Sequence, residues 1–215
     1  MTGAMDLSDV RRAYEAHGMV KKDMDADPFA QFGQWLQRAR DCELLDATAM
    51  TLATASLAGR PTARIVLLKH FDDEGFCWYT DSRSRKGQEI AANPQAELLF
   101  HWRDFSRQVR VNGLVEQLPV ADAEKYFQLR PEGSRFSAAS SLQSQQIENR
   151  AVLEDEVLRL RAAYPDGDVP RPDDWIGYRL KPEYFEFWQG QDNRLHDRIV
   201  YTRNQGAWKM QRISP

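Results

Sequence analysis

The chain has 215 residues, of which 42% are hydrophobic, 11% aromatic and 28% charged, with a formal net charge of −3 and a pI near 5.9. That length and apolar content are enough for one folded domain with a sizeable core, and they exclude a disordered chain. The slightly acidic balance argues against nucleic acid as the main partner, while local basic clusters could still bind small phosphorylated ligands.

The first helix is expected over Leu7 to His17, ended by Gly18. It is short and highly charged, and residues 1–20 read as a mobile arm. No apolar leader core precedes it, and no apolar run reaches the ~18 residues of a membrane span, so the cytoplasm is the default location. Asp27-Pro28 opens a second helix, with Asp27 as cap and Pro28 in the first turn. Its Phe29, Phe32, Trp35 and Leu36 recur at helical spacing and should face the core. Met50 to Phe71 reads as two strands around a turn at residues 57–61, and Phe76 to Thr80 as a third. Ser84 caps a short helix reaching Pro94. Ala96–Trp102 and Arg107–Leu118 are strands. Helices follow over Ala121–Leu129 and about Gln145–Ala163, joined by the serine-rich stretch Ser137–Gln145. After a proline-containing loop, Trp175–Gly190, Arg198–Arg203 and Ala207–Ile213 close the chain as strands. Six to eight antiparallel strands with short turns and inserted helices predict an α+β fold around a closed or partly closed antiparallel barrel.

Cys42 and Cys77 have neither CxxC nor Cys/His spacing, so buried thiols are expected and no metal site is suggested. Four stretches could carry chemistry. In Arg64–His70 a strand would place Arg64, Val66, Leu68 and His70 on one face and Ile65, Leu67 and Lys69 on the other. The charges there serve either a ligand or a solvated strand end. Ser82–Gly87 puts hydroxyls, helix-start N–H groups and the cations Arg85 and Lys86 together, which is either a phosphate cradle or a solvated basic turn. It is not a P-loop. Tyr126 and Arg130 share a helix face with Ser134 just beyond the helix end. The three suit a phosphate ester, or are an ordinary surface pair and a loop serine. Gln143, Ser144 and Trp188 could hold a planar heteroaromatic ring, unless Trp188 is core. The stretch Gly190–Arg198, GQDNRLHDR, alternates Arg194, His196 and Arg198 on one face if it is a strand. The histidines 17, 70, 101 and 196 are otherwise scattered, and no Ser-His-Asp set or carboxylate pair stands out.

The motifs RRAY (Arg11 to Tyr14), ADPF, DATAM (Asp46 to Met50), RIVLLKH, WYT, SRKGQ, RQVRVNG, KYFQLRPEGS, LQSQ, EFWQG and RLHDR follow one another in the order of a known family. Through them the chain resembles the pyridoxine/pyridoxamine 5′-phosphate oxidases. It departs from relatives in lacking a tryptophan near Arg135–Ser141, and in having Ala47 where proline is common. The resemblance implies an FMN-binding split barrel and a homodimer with FMN at the subunit interface. It implies oxidation of pyridoxamine or pyridoxine 5′-phosphate by dioxygen. It assigns FMN to the strand Arg64, Ile65, Val66, Leu67, Leu68 and Lys69, with Tyr79, Thr80, Arg85, Lys86, Gln108, Gln143, Ser144, Trp188 and Arg198. It assigns the substrate to Arg11, Tyr14, Lys69, Tyr126, Arg130 and Ser134, and to the segment Arg194, Leu195 and His196. Arg194 and His196, with Asp46 as a third candidate, would face the reacting centre. The alternatives are a related flavin oxidase acting on phenazine precursors and a non-catalytic flavin- or haem-binding barrel.

Overall fold

The computed structural model describes residues 18–215; the expected first helix, with Arg11, Tyr14 and His17, lies outside them. Helix α1 spans Pro28–Asp41. Asp27 accepts a hydrogen bond from Phe29 N at 3.1 Å, which satisfies one free donor of the first turn, and Pro28 needs none. The strands are β1 (Ala49–Ala55), β2 (Pro61–Leu67), β3 (His70–Asp72), β4 (Gly75–Asp81), β5 (Gln95–Trp102), β6 (Arg107–Gln117), β7 (Trp175–Gln189), β8 (Asp197–Asn204) and β9 (Ala207–Ile213). The other helices are α2 (Arg85–Ala92), α3 (Val120–Gln128), α4 (Glu132–Ser140) and α5 (Ala151–Ala163).

Every strand pairing is antiparallel, and the main path runs β2-β1-β5-β6-β7-β4-β3. The ends of that path, β2 and β3, are joined by only Leu68 and Lys69. Two residues span roughly 7 Å, so the end of β2 and the start of β3, the two ends of the path, lie close together although these strands do not pair with each other. The sheet therefore curls into a barrel, as expected. The same step corrects the reading of Arg64–His70 as one strand. Leu68 N bonds to Thr48 O beside β1, whereas Lys69 N bonds to Cys77 O on β4. Hydrogen bonding thus changes partners there, and the alternation of faces ends at Leu67.

Strand β7 is long enough to serve three neighbours. One edge pairs with β6. The other pairs with β4 over its first half and with β8 over its second. A bulge opposite Asn112/Gly113 accommodates Pro182, which cannot donate to a ladder. A Cβ on Gly113 would collide with Lys181 O, so only glycine permits this approach. The hairpin β8–β9 turns through Gln205 and Gly206, both at positive φ.

Helix α1 closes one opening of the barrel. Phe32, fully buried, meets Phe71, Phe76 and Phe100 with ring centroids 4.8–5.0 Å apart, and Trp35 lies 5.2 Å from Phe187. A second apolar cluster, Phe127, Phe136, Leu160, Val169 and Trp175, holds α3, α4 and α5 against the start of β7. It explains one departure from the sequence reading. Residues 132–140 are helical, so the first part of the expected serine-rich connection Ser137–Gln145 is helix, because Phe136 anchors that turn in the cluster. The following helix begins at Ala151, not near Gln145. Cys42 is exposed, contrary to expectation, because it caps α1 on the outside; Cys77 is buried. Among the described residues no helix is long and apolar enough to cross a membrane, and no cluster of His, Cys, Asp and Glu could hold a metal ion.

Candidate active site

The Ser82–Gly87 stretch divides by partner. Arg83 is tied to Asp81 and Asp174 and is structural. Ser84 caps α2: its hydroxyl accepts from Gly87 N and donates to Asp81 O. That start of the helix aims Lys86 inward, where its ammonium reaches Gln143 Oε1 at 2.9 Å. The same oxygen accepts from the Thr80 hydroxyl at 3.0 Å. Arg64 crosses from β2 to Leu52 O at 3.0 Å and the Thr54 hydroxyl at 2.7 Å. Burial lowers the pKa of Lys86, and the charge of Arg64 adds to that effect. Two half-buried cations that repel one another make a place for an anion. Glu89 lies behind them, accepting from Thr54, Thr62 and Arg85. Burial would raise its pKa, but these hydrogen bonds and the charge of Arg85 win, bringing it down to about 2. Arg85 is therefore turned to Glu89, and Ser144 is exposed at φ 69° beside Gln143.

A second group begins one residue earlier on β4. Tyr79 stacks on Tyr126 at 4.3 Å and on Trp175 at 5.4 Å. Burial pushes the Tyr79 hydroxyl up to about 12, so it stays protonated. The Lys69 ammonium lies 5.9 Å from the Tyr126 ring, and the Arg130 guanidinium 4.9 Å from that of Trp175. Arg130 Nη1 is buried with no partner among the described residues, and burial disfavours its charge. A guanidinium held this way lacks a counter-anion. Ser134 lies beyond the end of α3, as expected, but half-buried in the first turn of α4, and Arg130 falls just past α3 rather than on its face. No hydrogen bond joins its hydroxyl to Tyr126 or Arg130 among the described residues.

The third group sits across β6, β7 and β8. Gln108, Trp188 and Arg198 are register partners in one row. Arg198 donates twice to Glu186, both at 2.9 Å, and once to Ser214 O. The GQDNRLHDR stretch is not a strand throughout. Residues Asp192–Arg194 form a 3-10 turn, and β8 starts only at Asp197. Asn193 and Arg194 have φ of 55° and 60°, so their shared face is set by a left-handed turn, not by strand alternation. Arg194 and Leu195 are exposed. The His196 ring lies 4.7 Å from Trp188, and its Nδ1 accepts from Gln191 N at 3.1 Å. A backbone N–H can only donate, so the neutral ring carries its proton on Nε2. Asp197 belongs to the frame, accepting from Met19 N and from Arg212. Asp46 is exposed at φ 54° ahead of β1. Ile65 and Leu67 project outward from β2, Val66 is half-buried and Leu68 buried.

Within one chain, the first two groups meet through the adjacent residues Tyr79 and Thr80. No hydrogen bond, ion pair or ring contact among the described residues joins them to the third. Sequence reasoning missed Glu89, Trp175 and Glu186. Glu89 had a readable signal in its four-residue offset from Arg85; the ionic partners of Glu186, Arg110 and Arg198, arrive from β6 and β8 and left no such local signal.

The curled antiparallel sheet, with its cation cradle and aromatic stack beside the β2–β3 seam, defines the class as a split barrel. Solved structures agree. PhzG from Burkholderia lata 383, in complex with tetrahydrophenazine-1-carboxylic acid, superimposes with a TM-score of 0.88 at 29% identity, over 95% of this chain and 100% of that one. A pyridoxamine 5′-phosphate oxidase-related, FMN-binding protein from Nostoc punctiforme has the same fold, with a TM-score of 0.72 at 22% identity, over 89% of this chain and 100% of that one. Residues 36–164 match the family profile described as pyridoxamine 5′-phosphate oxidase, and residues 175–215 match the pyridoxine 5′-phosphate oxidase C-terminal dimerisation region. Pyridoxine/pyridoxamine 5′-phosphate oxidases of Cyanothece sp. and Vibrio cholerae are 46% and 47% identical over 211 residues, covering 98% of this chain and 99% and 100% of theirs. The chain belongs to the pyridoxamine 5′-phosphate oxidase family.

Proposed function

We propose that the chain is an FMN-dependent oxidase. It converts pyridoxamine 5′-phosphate and pyridoxine 5′-phosphate to pyridoxal 5′-phosphate, with dioxygen reduced to hydrogen peroxide. The observation that carries this reading is the near full-length similarity to enzymes of that name, at 46–47% identity. The buried, unpartnered Arg130 Nη1 beside Lys69 supports a phosphorylated substrate.

The residues present fit FMN. Lys86, its charge disfavoured by burial and by Arg64, stands at the start of α2 as a phosphate site requires, with Arg64, itself 3.5 Å from Glu89, and with Arg85, Gln143 and Ser144 around it. Thr80 fixes the amide of Gln143. Gln108, Trp188 and Arg198 would border the ring, as would the Arg64–Lys69 segment with Tyr79. A second copy of the chain supports the assembly of these groups, since the Trp188 row and the cradle do not meet within one chain. The dimerisation region covers β7 to β9, where that row lies. When bound, FMN supplies the two-electron sink and passes the electrons to dioxygen.

The chain's own residues do the rest. Lys69, Tyr126, Arg130 and Ser134 hold the substrate phosphate, with Arg11 and Tyr14 assigned to the same substrate. Arg194 places a permanent cation beside C4′ and stabilises negative charge developing on its oxygen or nitrogen. His196 offers Nε2 as the atom that exchanges a proton on that side, because Nδ1 is occupied by Gln191 N. Asp46 is a further candidate at that centre, and Leu195 completes the loop. The alcohol gives the aldehyde directly; the amine gives an imine that water hydrolyses.

Aerobic turnover of the two phosphorylated substrates by FMN-loaded protein, followed through aldehyde formation, tests the reading. Turnover of neither removes it. The likeness to PhzG at a TM-score of 0.88 favours a second reading, a phenazine-precursor oxidase; oxidation of tetrahydrophenazine-1-carboxylic acid alone would select it. Protein that cannot be made yellow with FMN would remove both. Arg194→Met should lower turnover far more than FMN content, and Lys86→Ala should do the reverse.

A further inference from the structure

Glu186 is a carboxylate only 2% exposed, in the middle of the sheet. It receives two hydrogen bonds from Arg198 at 2.9 Å, one from Arg110 at 3.2 Å and one from the Tyr184 hydroxyl at 3.0 Å. Arg110 in turn grips Glu97 through two bonds, at 2.6 and 3.0 Å. The chain of charges Glu97–Arg110–Glu186–Arg198 crosses four strands and balances itself. Burial would raise the pKa of Glu186, yet the donors of Arg198 and Tyr184 lower it, so it is ionised at neutral pH.

The geometry has a consequence for Arg198. A guanidinium has five N–H donors in one plane. Glu186 takes one from Nε and one from Nη2, and Ser214 O takes one from Nη1 at 3.0 Å. The two left over are one on Nη1 and one on Nη2, in a plane fixed by the bidentate pair. Arg198 sits in the same row as Trp188 and Gln108. Whatever Arg198 holds, it holds with those two donors, and Glu186 decides where they point.

We propose that Glu186 is a positioning residue for the flavin: by locking the plane of Arg198 it sets the affinity for FMN, without touching the cofactor itself. This rests on the assignment of Arg198 to FMN made above. Arginine and lysine are not interchangeable in such a bidentate pair. A neutral amide in place of the carboxylate accepts from one edge only and leaves the guanidinium free to turn.

The test is FMN titration of flavin-free protein, read by quenching of FMN fluorescence, on wild type, Glu186→Gln, Arg198→Met and the double variant. Glu186→Gln should weaken FMN binding roughly 10- to 100-fold, the size of one lost charge-assisted bond. The double variant should bind no more weakly than Arg198→Met, because both changes remove one interaction. If Glu186 serves the fold alone, Glu186→Gln lowers the melting temperature, leaves the FMN dissociation constant unchanged and overturns the inference. Effects that multiply in the double variant overturn it too. An Arg198→Met variant that binds FMN as tightly as wild type removes the assignment of Arg198, and the inference with it, while turnover by wild type still stands for the family activity. Should Glu186→Gln fail to fold, Tyr184→Phe removes a single neutral donor to the same carboxylate. It should weaken FMN binding about 2- to 10-fold; an unchanged constant there counts against the proposal.

Discussion

Replacing Glu89 by glutamine removes one charge and almost no volume, so its effect isolates the electrostatics behind the cation cradle. The carboxyl titrates near 2 instead of the ordinary 4.5. Each tenfold change in proton affinity is worth ~1.4 kcal/mol, which gives a ceiling of about 3 kcal/mol for the ionised form. Arg85, one of its donors, has a side chain 63% exposed, so water competes with that bond. Halving for screening leaves about 1.5–2 kcal/mol. The folded pKa is depressed, so this stabilisation is complete above the unfolded value of ~4.3. It fades as the pH falls through the window down to about 2. Urea unfolding at one protein concentration should therefore show Glu89→Gln less stable than wild type by about 2 kcal/mol at pH 7, with the gap roughly halved at pH 3. An equal gap at both pH values, or none at pH 7, would refute the reasoning.

Three further outcomes follow from the geometry. Arg130→Met should raise KM for the phosphorylated substrates roughly 10- to 100-fold while FMN content holds; an equal rise for unphosphorylated pyridoxine would show that Arg130 does not read the phosphate. Burial and the charge of Arg64 lower the pKa of Lys86, and only its charged form attracts a phosphate. FMN affinity of the flavin-free protein should therefore fall as the pH rises through a value below the ordinary lysine figure of ~10.4, and Lys86→Met should flatten that limb of the titration. Gly113→Ala drives a methyl group into Lys181 O and should cost about 1–3 kcal/mol. In a thermal melt that is a drop of roughly 2–4 °C per kcal/mol, and an unchanged midpoint would mean that the bulge yields.

Local chemistry made several elements legible. Asp27-Pro28 and Ser84 announced the starts of α1 and α2, because caps act within one turn. Phe29, Phe32, Trp35 and Leu36 announced the buried face of α1, because helical periodicity repeats every 3–4 residues. The errors have tertiary causes. Residues 132–140 became helix because Phe136 found a pocket among residues from α3, α5 and β7. The strand at Arg64 ended early because Lys69 bonds to β4 instead of β1. The alternation in GQDNRLHDR suggested a strand, yet its φ values turned the backbone left-handed before β8 begins.

The family was determined by the sequence alone, because motifs such as RIVLLKH, EFWQG and RLHDR keep their order along the chain whatever lies between them. The antiparallel α+β class followed from turn spacing and alternation. Only the tertiary structure decided which charges are free and which are neutralised. Read along the chain, Arg83, Arg85, Arg130 and Arg198 look alike. In space, Arg83 belongs to Asp81, Arg85 to Glu89 and Arg198 to Glu186, while Arg130 Nη1 is left without a partner among the described residues. An ion pair depends on distance through space, and the carboxylates that decide these cases approach from 2 residues away for Arg83, 4 for Arg85 and 12 for Arg198. Closure of the barrel brings the remaining partners of the cradle and the aromatic stack together, and nothing shorter than the whole fold could specify it.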